Sequence, residues 1–297
     1  MKQAVNPIRC AALLLLALLA GGCDRLVILN PKGPIADAER GLMIDAFVVM
    51  MLVVVPVIVM ALWFAWRYRE GRNAHYEPTW AYSAKVDAVV WLVPALIVIA
   101  VAVLLWRSTH HLDPYREIAS SNPPLDVQVV AQDWKWLFIY PEQGVASVNQ
   151  LAIPAGRPIS LRITSDTVMN SFYVPALAGQ IYAMAGMQTR LQLLASQPGK
   201  FVGRNTQYSG GGFSDQFFEV VALGPADFDA WVAKAKQAPG RLDPPTYARL
   251  AEKSRLNPIA FYSAVEPRLF DSIIDKYTGG HQAHGQAPAA PAVPARR

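Results

Sequence analysis

Residues 42–66 read LMIDAFVVMMLVVVPVIVMALWFAW. The run is long enough to cross a hydrocarbon core of about 30 Å, so it predicts a membrane-spanning helix. Asp45 lies near its outer end, where a charge reaches the interface at lower cost than at the centre. Pro56 sits mid-span, removes one helix hydrogen bond and predicts a kink. Trp63, Trp66 and Tyr68 form an aromatic belt at the inner end. A second run follows at 86–106, VDAVVWLVPALIVIAVAVLLW, again with a mid-span proline, Pro94, and a terminal Trp106. The polar stretch between them carries Arg67, Arg69, Arg72 and Lys85, which favours a cytoplasmic hairpin. Lys32, Arg40, Arg107 and Arg116 on the other side weaken that bias.

Composition agrees with a membrane chain. Of 297 residues, 53% are hydrophobic and 16% charged, against about 25% charge in soluble domains. The net charge of +5 is scattered, with no basic stripe interleaved with aromatics, which argues against nucleic-acid binding. The two cysteines, Cys10 and Cys23, precede the folded part. The rest of the chain can therefore form neither a disulfide framework nor a thiolate metal site.

Residues 1–22 read as an export signal. Lys2 and Arg9 supply its positive end, Ala11–Ala20 a short apolar core, and Gly21 and Gly22 a small-residue cleavage region. Cys23 follows directly, which fits a lipoprotein signal with Cys23 as the lipidated new N-terminus. The fit is imperfect, because Leu19 stands one position further back than that pattern prefers. An ordinary cysteine beside a cleavage site is the other reading. Asp24 resembles a signal for retention in the inner membrane. Residues 23–41 are then a periplasmic N-terminal segment, and 42–106 a transmembrane hairpin. A cleaved export signal starts the chain outside and two spans return it there. The expected location is thus the bacterial inner membrane, multi-pass, with everything after Trp106 periplasmic.

After Asn122-Pro123-Pro124 the pattern changes. Leu125, Val127 and Val129 alternate with polar residues, as do Ile159, Leu161 and Ile163, and Leu191 and Leu193. Residues 134–140, WKWLFIY, form a strongly β-prone run, and Phe217–Val221 closes the series. Turns fall at 141–144, 154–156 and 197–199. Short strands so punctuated predict a β-sandwich or barrel over 124–223. Residues 224–278 turn helical, with Phe228, Trp231, Val232 and Ala235 on one face and further short helices near 247–254 and 267–276. This part is too small for its own core and is expected to pack on a neighbour. The Gly/Ala/Pro-rich run 279–297 predicts a disordered tail.

Two spans followed by a periplasmic β-domain resemble subunit II of haem–copper respiratory oxidases. The motifs that carry the resemblance occur in order. Residues 133–136, DWKW, resemble the family's aromatic stretch, and 170–175, NSFYVP, the segment HSFxxP that opens with a copper-binding histidine. Residues 181–190, IYAMAGMQTR, continue in register, and 205–216, NTQYSGGGFSDQ, resemble the copper loop CxExCGxxHxxM. The resemblance implies membrane helices plus an all-β, cupredoxin-like sandwich with short C-terminal helices. It also implies a dinuclear copper centre held by two thiolates, two imidazoles, a thioether and a backbone carbonyl.

Every side-chain ligand is replaced. Asn170 stands at the first histidine position, Asn205 and Ser209 at the cysteines, and Gln207 at the glutamate between them. Phe213 stands at the second histidine and Gln216 at the methionine. Amides and a hydroxyl do not substitute for the thiolate and imidazole that copper electron-transfer sites select. All five histidines, His75, His110, His111, His281 and His284, lie outside the β-domain. The expectation is no metal and no cofactor in this chain. The pattern is similar to the cytochrome bo-type ubiquinol oxidase branch, which needs no copper relay. Residues 228–237, FDAWVAKAKQ, resemble that branch's aromatic-rich C-terminal helices. The resemblance implies a subunit with no redox chemistry or catalytic residues of its own, in a complex that pumps protons, oxidises ubiquinol and reduces oxygen to water. Haems, copper and the main quinone contacts would belong to the partner, subunit I. Membrane lipid and other oxidase subunits are the further partners expected. The alternative is a copper-free membrane-anchored periplasmic binding lipoprotein without an oxidase partner.

Trp134 and Trp136 admit two readings: a redox or partner-facing patch, or ordinary strand aromatics, one packed and one facing a partner. Met169, Met184 and Met187 have no thiolate or imidazole nearby in sequence, so core packing or a partner contact outweighs a soft metal site. His110 and His111 read as an interfacial pair, and Asp45 and Asp87 as polar contacts with subunit I.

Overall fold

The computed structural model describes residues 26–70, 79 and 81–279. The signal segment, Cys23, Arg72, His75, His281, His284 and residues 280–297 lie outside the described residues. The chain divides into two units, residues 1–116 and 117–297.

The first unit contains two long helices, α1 (Pro34–Arg67) and α2 (Ala84–His111). At 34 residues α1 is about 51 Å long, more than a bilayer core requires. It starts two turns before the apolar run, at Pro34, whose missing N–H costs nothing in the first helical turn. Mean hydropathy reaches 2.9 in α1 and 3.0 in α2, and apolar side chains point outward on all sides. A helix apolar all round suits lipid, not a soluble surface. Pro56 and Pro94 both lie inside helix.

The second unit is a sandwich. One sheet has six strands: β1 (Leu125–Gln132), β2 (Lys135–Tyr140), β3 (Val145–Val148), β5 (Ile159–Ser165), β8 (Thr189–Leu193) and β12 (Ala260–Tyr262). Their order is β12-β3-β2-β1-β5-β8. The other sheet contains β4 (Gln150–Pro154), β6 (Asn170–Tyr173), β7 (Gln180–Ala183), β9 (Gly199–Asn205) and β10 (Phe217–Leu223), in the order β4-β10-β9-β6-β7. Each sheet contains one parallel pair, β1 with β5 and β4 with β10, among otherwise antiparallel neighbours. Chain crossing between sheets is what makes those pairs parallel.

β2 explains why residues 136–140 are a solid apolar run and not an alternating one. Its successive side chains point to opposite faces, and both faces are covered. Trp136 and Phe138 point between the sheets, against Phe172 and Phe218. Leu137 and Ile139 point the other way and join Leu242, Leu269, Phe270 and Ile273 in a second cluster. The C-terminal segment supplies that cover through α3 (Pro225–Lys236), β11 (Arg241–Leu242), α4 (Pro244–Ala251), β13 (Ala264–Val265) and α5 (Leu269–Thr278). Its neighbour is therefore its own sheet, which it also extends by pairing β12 with β3. Phe228, Val232 and Ala235 of α3 are buried, and the Trp231 indole donates to Gln150 Oε1 at 2.9 Å.

Gly203 faces Phe218 across the β9–β10 ladder, and a Cβ there would fall on the Phe218 ring. That ring is stacked on Phe172 at 5.0 Å and cannot swing clear. Gly203→Ala is expected to destabilise the unit by about 1–3 kcal/mol, read as a lower denaturant midpoint.

Candidate functional site

The six positions that matched copper ligands come from two neighbouring strands and one loop. Asn170 begins β6, Asn205 ends β9, and the loop to β10 carries the other four. The loop is pinned at its base, where Asn205 N donates to Gln216 O at 3.0 Å.

Four of the six side chains meet in the interior. Asn170, Asn205, Ser209 and Gln216 are all buried. Asn205 Nδ2 shares its hydrogens among Asn170 Oδ1 at 2.7 Å, Gln216 Oε1 at 2.9 Å and Ser209 Oγ at 3.1 Å. Ser209 Oγ donates to Gln216 Oε1 at 2.9 Å, and Gln216 Nε2 donates to Asn170 Oδ1 at 3.0 Å. The outward-facing atoms are also satisfied. Asn205 Oδ1 accepts from the backbone N–H of Ser171 and Gln207, and Asn170 Nδ2 donates to Val168 O. Buried amides are costly unless so paired, and here the pairing closes on itself. Copper does not fit this donor set. The nitrogen donors are amide NH₂ groups already spent on neighbours, and no thiolate or imidazole is present. Among the described residues, no three His, Cys, Asp or Glu side chains group so as to hold a metal ion.

The remaining two positions stay outside the cluster. Gln207 is half-buried, and Phe213 lies on a single 3-10 turn against Tyr208, ring centroids 5.8 Å apart. Asn205→Ala orphans several of these partners at once. The expected cost is about 3 kcal/mol, at roughly 1–3 kcal/mol for each buried group left unpaired, measured by equilibrium unfolding.

The four residues 133–136 point four ways. Asp133 Oδ1 accepts from Thr167 at 2.6 Å. Trp134 is not in a strand as the sequence suggested: it forms the β1–β2 turn with φ of 64°. Closing a turn between paired Gln132 and Lys135 requires that left-handed backbone, which is uncommon for a bulky residue and often marks functional sites. Its indole Nε1 donates to Ser209 O at 3.2 Å, and a Cβ on Gly212 would fall on the ring. The Arg255 guanidinium stands over the ring at 5.2 Å. Trp134 thus lies across the loop that holds the amide cluster. Lys135 is buried and donates to Glu252 O at 2.7 Å and Ser254 Oγ at 2.6 Å, just past α4. Burial pushes its pKa down, opposed by Asp133 and Glu252. Trp136 has no exposed surface, which corrects the expectation of a partner contact for it: the pleat turns it into the aromatic core. Met169 and Met187 are exposed, so neither packs in the core. His110 packs on Trp106 at 4.5 Å.

A second polar site has no signature in the sequence. The Asp166 carboxylate, 1% exposed, accepts from Lys276 Nζ at 2.8 Å, Tyr277 OH at 3.0 Å and Tyr247 OH at 2.7 Å. It ties the β5–β6 loop to α4 and α5. Its hydrogen bond raises the pKa of Lys276, and burial followed by its charge raises that of Tyr247. Tyr277 is raised by burial and by its hydrogen bond to Asp166. Groups with raised folded-state pKa values contribute stability that is complete below their ordinary values and lost as pH climbs through the folded ones. The C-terminal segment is therefore expected to stay docked at neutral pH. Above about pH 10, the protection of amides in 244–278, corrected for the intrinsic exchange rate, should fall while that of β1 and β5 holds.

A family model described as cytochrome c oxidase subunit II, periplasmic domain, matches residues 142–222. A second, the COX aromatic rich motif, matches residues 236–281. The chain is 48% identical to the cytochrome bo(3) ubiquinol oxidase subunit 2 of Pseudomonas putida, over 91% of this chain and 87% of that one. It is 49% identical to the ubiquinol oxidase subunit 2 of Acetobacter aceti, over 89% and 86% respectively. Among solved structures, the periplasmic domain of subunit II of cytochrome oxidase from Bradyrhizobium japonicum aligns with a TM-score of 0.37 and 22% identity, over 38% of this chain and 94% of that one. The chain is a multi-pass protein of the bacterial inner membrane, with its β-unit periplasmic. Near-full-length identity of this order, carried through both units, shows that the chain belongs to the subunit 2 family of cytochrome bo(3)-type ubiquinol oxidases.

Proposed function

We propose that this chain is the non-catalytic subunit 2 of a proton-pumping quinol oxidase that oxidises ubiquinol and reduces oxygen to water. Its part is to support subunit I, which would carry the haems and the copper. The observation that carries this reading is the closed amide cluster at the copper-ligand positions. A site filled by mutual hydrogen bonds offers no path for electrons from a soluble donor, whereas quinol reaches the complex through the bilayer.

In this reading α1 and α2 dock the subunit in the membrane, and Trp134, partly exposed over the 205–216 loop, contacts a partner. Residues 1–22 are removed as a signal and Cys23 carries lipid, which mass spectrometry of the mature N-terminus tests. Residues 124–223 form the cupredoxin-like domain and 224–278 the aromatic-rich cover.

Purification in mild detergent tests the main reading. Co-migration with haem-bearing subunits and quinol-dependent oxygen uptake are the expected results. A lone, haem-free protein would overturn it and favour a membrane-anchored binding lipoprotein.

A further inference from the structure

Residues 210–212 are three consecutive glycines in the loop that carries four of the copper-ligand positions. Only Gly210 needs glycine for its backbone, with φ of 106°. Gly211 lies outside the left-handed region, and Gly212, with φ of −104°, sits where any residue could. What these two supply is space. A Cβ on Gly212 would fall on the Trp134 ring, and one on Gly211 would stand 2.7 Å from Arg255 Nη2. A Cβ on Gly210 would meet Trp134 Cζ2 at 3.5 Å. The three glycines form a bare strip of backbone on which an indole and a guanidinium rest.

The guanidinium arrives on a segment fixed from several sides. Just past α4, residues 252–257 run from the C-terminal cover to this loop. Lys135 Nζ donates to Glu252 O and Ser254 Oγ, and Lys253 Nζ stands 3.7 Å from Asp133 Oδ2. Asn149 Nδ2 donates to Asn257 O at 2.9 Å, while its Oδ1 accepts from the Trp136 N–H. Asp133 and Lys135 flank Trp134, so one short stretch of chain both anchors the segment and presents the ring under Arg255.

We propose that residues 252–257 are a strap that clamps the 205–216 loop through the Trp134–Arg255 stack, in place of the metal that ligands at these positions would hold. Metal ligation ties a loop because its binding energy is folding energy. Copper does not fit the donors here, so the loop needs other ties. The amide cluster supplies them from within, through Asn205, Ser209 and Gln216. Its bonds stop at Ser209 on one side and Gln216 on the other. Residues 210–215 between them are held by the strap, where the indole also donates to Ser209 O. The C-terminal cover therefore does more than shield β2: it sets the conformation of the loop.

Hydrogen exchange tests this on the full-length chain, purified with the subunits it retains. The reporters are the amides of Phe213 and Asp215, which donate to Gly210 O and Gly212 O. A cation–π contact from an exposed arginine is modest, so Arg255→Ala is expected to lower their protection by about threefold. Protection in β1 and β5 should hold. Gly211→Ala displaces the guanidinium without touching the ring and should do the same. The two changes combined should do no more than either alone, because they remove one contact. Arg255→Lys, which keeps the cation, should retain part of the protection. Loop protection unchanged in both single variants overturns the proposal. So do additive losses, since Gly211 and Arg255 would then act separately. An equal loss across β1 and β5 overturns it as well, because the contact would then stabilise the whole sandwich and not the loop.

Discussion

A variant carrying Asn170→His, Asn205→Cys, Ser209→Cys, Phe213→His and Gln216→Met is expected to take up copper and become intensely coloured, while the native chain stays colourless. The reason is geometric. The side chains at four of these positions already converge, with polar atoms 2.7 to 3.1 Å apart, on strands whose register is fixed by the β6–β9 and β9–β10 ladders. Two thiolates, imidazole and thioether placed there are the donors copper selects. Phe213 needs the largest adjustment, because it lies on the 3-10 turn beside Tyr208 and outside the cluster. A histidine there is smaller and must turn inward. Without metal the variant should be less stable than the native chain, having lost the amide network. Copper should restore that stability, because binding energy is then folding energy. Visible absorption on copper titration, followed by a denaturation curve with and without metal, checks both halves. A colourless variant would mean that the 205–216 loop does not bring these ligands within reach of one ion.

Asp166→Ala is expected to release the C-terminal cover from the sandwich. The carboxylate is almost wholly buried and accepts from two tyrosine hydroxyls and a lysine. Hydrogen bonds to a charged acceptor contribute about 1.5–3 kcal/mol each, so the loss should reach roughly 3 kcal/mol once solvent screening of the exposed Lys276 is allowed for. Tyr247 is left worst, because its largely buried hydroxyl loses its charged acceptor. Tyr247→Phe removes donor and need together and should cost less. Hydrogen exchange across 241–278 reads the difference. Fast exchange there with slow exchange retained in β1 and β5 is the expected pattern. Uniform loss of protection would mean that cover and sandwich unfold as one.

These two sites differ in how far the sequence announces them. The spans were legible because solid apolar runs of bilayer length have few other uses. β1 and β5 were legible because one polar face alternates along each. β3, at Val145–Val148, is short and buried on both faces, so no alternation marks it. β12 was missed because three residues inside a helical-looking region become a strand only when β3 offers them an edge. Trp134 misled because a β-prone aromatic at the head of WKWLFIY reads as strand, whereas the two-residue turn between Gln132 and Lys135 sets its backbone. The copper positions could be placed in order by their spacing. That four of them close into one network could not, since Asn170 and Asn205 are 35 residues apart and nothing local states their contact. The Asp166 tie reaches 81 to 111 residues along the chain and uses residue types that occur everywhere.

The central claim is that this subunit serves a quinol oxidase and relays no electrons through copper. The direct measurement is oxygen uptake by the detergent-purified complex, with ubiquinol and reduced cytochrome c offered side by side as donors. The account predicts rapid uptake with ubiquinol and none above background with cytochrome c. Comparable uptake with cytochrome c would contradict it, because a working electron entry on the periplasmic side would then exist where the amide cluster leaves none.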